Sequence, residues 1–144
     1  MRPSEEIKEF IKKFEGLCLT ATRCSAGVPT IGYGHTGPEV QVGQKISRER
    51  ADEIFSKDID YFAEKVGKIV PKTLNQNQFD ALISFAFNCG VSALSNSTLL
   101  RKVKANPNNP EIRGEFLKWV NAGGRRLQGL VNRRKAEADW YFQK

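Results

Sequence analysis

At 144 residues, 40% hydrophobic and 27% charged, the chain has the make-up of one soluble globular domain, or of two lobes sharing a helix. No apolar run approaches the ~20 residues of a membrane span, and the opening MRPSEEIKEF lacks the apolar stretch of a signal peptide. The net charge of +7 is unevenly placed: residues 1–100 balance twelve cations with twelve anions, whereas 101–144 hold eleven against four, which suits a polyanionic partner.

Ser4 is a plausible N-cap, with Glu5 and Glu6 in the first turn of a helix over about 4–14. Ile7, Phe10, Ile11 and Phe14 form its apolar face, and Glu15-Gly16 ends it. Glycines and prolines then punctuate short β-prone pieces, Leu17–Thr22 and Pro29–Tyr33, predicting a sheet of two or three strands in a lobe of about 15–46. So small a sheet is marginal alone and must lean on helices.

From Ser47 the helical signal returns. Ala51, Ile54, Phe55, Ile59, Phe62, Ala63 and Val66 make one stripe, ending near Gly67 or Pro71. Asn75 with Gln78 reads as a capping box, and the following Phe79–Phe87 segment is apolar nearly all round, as in a central helix. Gly90 suits its cap, and further helices are expected over about 94–105, 110–121 and 129–142. The expected fold is α+β: an N-terminal helix and small β lobe packed on a larger all-helical lobe (47–144), with a cleft between.

Glu15 falls at a helix C-terminus beside Phe14 and Leu17. The last carbonyls and apolar neighbours both disfavour a carboxylate there, as general-acid work requires; an exposed helix-terminal glutamate is the other reading. Three cysteines, Cys18, Cys24 and Cys89, have no metal-ligand spacing, and a single histidine, His35, cannot complete a cluster, so no metal or other cofactor is expected. Cys89, in the apolar central helix, is expected to be buried and inert. Six strand residues separate Cys18 from Cys24 by roughly 20 Å, beyond the ~7 Å a disulfide spans.

The spacing Glu15, eight residues, Cys24, five residues, Thr30, then Ile31-Gly32-Tyr33-Gly34-His35 resembles the signature of phage lysozymes of glycoside hydrolase family 24. The similarity continues through Leu74–Leu82, Phe87-Asn88-Cys89-Gly90, Ser97–Leu100, Phe116–Trp119 and Gly129–Arg134 with Glu137, in order along nearly the whole chain. The resemblance implies a single lysozyme-like domain and a metal-free muramidase. Such an enzyme cuts the β-1,4 bond between N-acetylmuramic acid and N-acetylglucosamine in peptidoglycan, as an endolysin does during host lysis.

Carried over residue by residue, Glu15 is the general acid and Thr30 helps hold a water. Cys24 stands where the family more commonly has aspartate. A free thiol is only a few per cent ionised near neutral pH, so Cys24 has three open roles: a thiolate stabilising positive charge on the sugar, a group assisting the water, or a nucleophile. Arg23 next to it favours a thiolate, but adjacent strand residues point to opposite faces. The resemblance also implies that His35 and Arg133 position Glu15, and that Thr36, Phe87 and Ser97 contact substrate, although Phe87 also reads as core. The pairs Arg125-Arg126 and Arg133-Arg134 with Lys135 read as a basic rim toward anionic wall polymer, or as a solvated helix face. The implied life of the protein is that of a monomer made in a host cytoplasm, without membrane insertion, reaching the wall through a holin-type lesion. A wall-binding module that has lost catalysis at Cys24 is the alternative. A nucleic-acid-binding protein is disfavoured, because no groove-reading or base-stacking motif accompanies the basic end.

Overall fold

In a computed structural model, the structure describes residues 1–23 and 27–143. Helix α1 (Glu5–Glu15) begins where the Ser4 side chain accepts the Ile7 N–H, and ends at Gly16, whose φ of 73° is open to glycine. Strands β1 (Cys18–Arg23) and β2 (Pro29–Gly32) follow as an antiparallel pair, with Cys18 opposite Gly32 and Thr22 opposite Thr30. A third, strand-like edge runs alongside β1: Ala21 N–H donates to Gln44 O at 2.7 Å and Ile46 N–H to Leu19 O at 2.9 Å. Ala21, Ile31 and Val40 form a small core under this lobe, closed by Ile46.

The helical lobe opens with α2 (Arg48–Ile69), capped by Ser47, and continues with α3 (Gln76–Cys89). Asn75 and Gln78 form the expected capping box at the start of α3. This helix is apolar almost all round because it runs through the middle of the lobe: Phe79, Ala81, Leu82, Ile83, Phe85 and Ala86 are all buried. Each such Leu, Ile or Phe contributes about 1.5–3 kcal/mol relative to exposure. Around it lie α4 (Val91–Ser95), α5 (Thr98–Ala105), α6 (Ile112–Phe116) and α7 (Gln128–Tyr141).

Two expected helices are shorter than their patterns suggest. The span 94–105 is broken at Ser97, whose hydroxyl donates to Leu94 O at 2.7 Å and accepts the Leu100 N–H at 3.0 Å, ending one helix and capping the next. The span 110–121 stops at Phe116, and its tail turns into a second hairpin, β3 (Asn121–Ala122) with β4 (Arg125–Arg126). Gly123 and Gly124, at φ 58° and 76°, make the two-residue turn that a right-twisted hairpin needs.

Asp80 ties the N-terminus to the central helix. Its buried carboxylate accepts the Ser4 N–H at 3.1 Å, the Ser4 hydroxyl at 2.5 Å and the Gln76 amide at 2.8 Å. Asp80→Ala leaves those donors unpaired and is expected to cost on the order of 1–3 kcal/mol, read as a lower urea midpoint at unchanged m-value.

Candidate active site

The two lobes face each other across a groove. A hollow of about 590 Å³ is lined on the β-lobe side by Glu15, Thr30, Gly34 and Thr36, and on the helical side by Phe87, Asn88, Cys89, Trp119, Asn121, Ala122, Leu127 and Leu130. It runs into a hollow of about 220 Å³ through Gly34, Thr36 and Phe87. At the other end it meets one of about 490 Å³ through Glu15, Asn88, Leu127 and Leu130. The result is an extended groove with Glu15 partway along it, a shape that suits a chain polymer rather than a small molecule.

Glu15 is delivered by the last turn of α1, and its side chain is 15% exposed. It does not rest among apolar neighbours alone. Its Oε2 accepts a hydrogen bond from Arg133 Nη1 at 2.5 Å, so an ion pair sets its surroundings. Gly34 packs against the same carboxylate: a Cβ there would lie 2.9 Å from Glu15 Cδ and overlap Oε1. The φ of 72° at Gly34 is a second reason for glycine. That close approach was not evident from the Gly-Tyr-Gly-His string, where Gly34 read only as turn chemistry.

Arg133 holds Glu15 from α7, as the family resemblance implied. The neighbouring cations divide: Arg125, Arg126 and Lys135 are exposed, whereas Arg133 and Arg134 are buried. Arg133 and Arg134 therefore belong to the interior and not to a basic rim. Thr30 lines the groove in β2, its hydroxyl donating to Val28 O at 3.0 Å. Cys24, the second expected catalytic position, lies outside the described residues. Cys18 is a free thiol that donates to Thr20 O at 2.7 Å.

His35 departs from its expected role. Its Nδ1 pairs with Asp58 Oδ2 at 2.8 Å and its Nε2 with Glu39 Oε1 at 2.7 Å. Both ring nitrogens are occupied, so His35 fastens the β-lobe turn to α2 and does not hold Glu15. Its backbone closes the same turn through reciprocal 2.9 Å hydrogen bonds with Ile31. Ser97 is buried and serves as the cap of α5. Thr36 is exposed at the groove wall. Phe87 lines the groove while packing on Phe55 and Phe62 at ring distances of 5.6 and 5.2 Å. Cys89 is half-buried on the groove wall rather than fully enclosed, and burial pushes its thiol up, away from the reactive thiolate. Among the described residues no group of three or more His, Cys, Asp or Glu side chains is placed to hold a metal ion. Nor is any helix long and apolar enough to cross a membrane.

A helical lobe and a small sheet facing each other across a glutamate-bearing groove is the lysozyme-like arrangement. The phage lysozyme family model matches residues 12–137, and the chain belongs to that family. It is 44% identical over 132 residues to the endolysin of Bacillus phage B103, a match covering 88% of this chain and 49% of that one. The chain thus spans about half the length of that relative, and likewise of the endolysin of Bacillus phage PZA. Among solved structures, an endolysin from Escherichia coli O157:H7 phage FAHEc1 superposes with a TM-score of 0.86 at 36% identity, covering 99% of this chain and 94% of that one. The muramidase domain of SpmX from Asticaccaulis excentricus also gives 0.86, at 34% identity and 99% coverage of both.

The His35 cluster carries a pH dependence. Desolvation draws the imidazole down, but the hydrogen bonds and charges of Glu39 and Asp58 outweigh it and leave the ring raised. A histidine raised on folding stabilises the fold below its unfolded value of about 6.5, and that stabilisation is lost as pH rises through the higher folded value. The melting temperature is therefore expected to fall as pH rises from about 6.5 through that higher value, and His35→Gln to flatten that part of the profile. Differential scanning calorimetry of both proteins across this range measures it.

Proposed function

We propose that this protein is an endolysin-type muramidase that hydrolyses the β-1,4 bond between N-acetylmuramic acid and N-acetylglucosamine in bacterial peptidoglycan. The observation that carries the reading is Glu15, set partway along a groove long enough for a glycan chain and gripped on one oxygen by Arg133. The relatives' names, endolysin and muramidase domain, support the same substrate class.

In this mechanism Glu15 gives its proton to the glycosidic oxygen as the C–O bond breaks. Arg133 occupies Oε2, which leaves Oε1, free of hydrogen bonds among the described side chains, to carry that proton. Positive charge develops on the sugar ring, and water adds to the anomeric carbon as its proton passes to a base, either the Glu15 carboxylate left by the first step or a Cys24 thiolate. Thr30, which lines the same groove wall as Glu15, helps hold the water. Cys24 takes the place of the family's commoner aspartate, as a thiolate, a partner of the water, or a nucleophile. No cofactor takes part.

The exposed Arg125, Arg126 and Lys135 draw the enzyme to anionic wall polymers. The protein acts as a monomer at the wall, after release from the cytoplasm through a holin-type lesion.

Rates of clearing of chloroform-treated Gram-negative cells, with reducing-end release from purified wall, test this reading. Glu15→Gln is expected to lose at least ~10²-fold in rate. Cys24→Asp is expected to match or exceed the wild type while Cys24→Ser is inactive, and wild-type rate should climb as the thiol ionises. Persistent clearing by Glu15→Gln would sink the assignment. Wall binding without new reducing ends would identify a binding module instead.

A further inference from the structure

Beneath the groove floor lies a group of buried charges that the reaction described above does not use. Glu137, one turn along α7 from Arg133, is 0% exposed. Its Oε2 accepts from Ser84 Oγ at 2.5 Å and from Arg133 Nε at 3.2 Å, and its Oε1 accepts from Arg134 Nη1 at 2.6 Å. Ser84 holds a second edge of the Arg133 guanidinium, its carbonyl accepting from Nη2 at 3.2 Å and its hydroxyl at 3.4 Å. These contacts occupy Nε and Nη2 and leave Nη1 directed to Glu15 at 2.5 Å. The other end of Arg134 donates from Nη2 to Asn88, which lines the groove.

The cluster thus holds two guanidiniums and two carboxylates, with Glu137 touching both cations and Glu15 touching one. Burying a carboxylate costs several kcal/mol before its partners offset it. Burial indeed pushes the Glu137 carboxyl up, against the opposing pull of Arg134 and Arg133. An apolar side chain would fill the same space more cheaply if packing were the only need.

We propose that Glu137 is a positioning residue for the hydrolysis: it fixes the guanidinium of Arg133 so that Nη1 meets Glu15, and balances the charge of Arg133 and Arg134. The inference rests on Glu15 being the acid. A fork held on two sides can present its remaining N–H in one direction only. With Glu137 neutral, Arg133 would keep Glu15 as its carboxylate partner and the buried charge of Arg134 would lose the partner it has. The surplus positive charge would then favour ionised Glu15 and deplete the protonated acid that the reaction needs.

The test compares wild type, Glu137→Gln, Glu137→Asp and Ser84→Ala by steady-state kinetics on soluble glycan fragments across pH. Glu137→Gln is expected to lower kcat roughly tenfold or more with KM within about twofold. The alkaline limb of its kcat profile should move to lower pH. Glu137→Asp restores the limb, because the charge returns, while kcat recovers only in part, because the shorter side chain reaches Arg133 less well. A ¹³C titration of the Glu15 carboxyl in wild type and Glu137→Gln reads the same coupling without substrate, and its midpoint should fall in the variant.

Unchanged kcat and an unmoved Glu15 titration in folded Glu137→Gln would overturn the proposal. So would a loss of activity that tracks lost melting temperature while the pH profile keeps its position. If Glu137→Gln does not fold, Ser84→Ala decides: the proposal expects kcat to fall roughly threefold or more at constant KM, and an unchanged kcat rejects it. A wild type inactive on wall whose Glu15 midpoint still responds to residue 137 would refute the reaction while upholding the coupling.

Discussion

The guanidinium of Arg133 is where three parts of the fold are forced to agree. It is carried by α7, backed by Ser84 of α3 and Glu137 of its own helix, and it ends on Glu15 at the last residue of α1. A buried guanidinium is costly unless its donors are matched, and Nε, Nη1 and Nη2 of Arg133 all find acceptors. The helices are therefore held in register by a polar constraint as well as by the apolar packing of α3. The same constraint places a carboxylate at a defined point along the groove.

The small lobe depends on the helical one in a complementary way. Its own core is only Ala21, Ile31 and Val40, too little to stand alone. It is fastened from outside: Tyr33 stacks edge-on to Phe55 with ring centres 5.6 Å apart, Lys12 lies over both rings, and His35 clamps the turn to Asp58 of α2. These ties bring Gly34 against the Glu15 carboxylate from the side opposite Arg133. Glu15 is thus confined between a backbone on the β lobe and a cation on the helical lobe. For the acid proposed above, such confinement would favour catalysis, because a group already held in its geometry does not spend the barrier on ordering.

The division of the basic residues has a functional meaning. Counted along the chain, the C-terminal third is simply cationic. Folded, it separates into exposed arginines on the β3–β4 hairpin beside the groove and buried ones beneath it. The field of the first set reaches out into solvent and is screened by salt. The second is paired at contact with Glu15 and Glu137 and is shielded from solvent, so salt reaches it little.

Much of this was legible in the residues themselves. Ser4, Ser47 and the Asn75/Gln78 box marked helix starts, and the all-round apolar run of Phe79–Phe87 marked the buried helix, because capping and periodicity are local properties of the chain. The spacing from Glu15 to His35 likewise named the family, and the family model's match over 12–137 agrees. The second hairpin was not legible, since Asn121–Arg126 is too short to carry a strand pattern. Nor were the partners of His35, the capping role of Ser97, the approach of Gly34 to Glu15, or the split between buried Arg133–Arg134 and their exposed neighbours. Those depend on which side chains meet across 23 residues for His35 and Asp58, or 118 for Arg133 and Glu15. The chain alone determined the main helices, the first hairpin and the family they belong to; the tertiary structure alone decided which charges are buried together, because desolvation and pairing act only once distant segments pack.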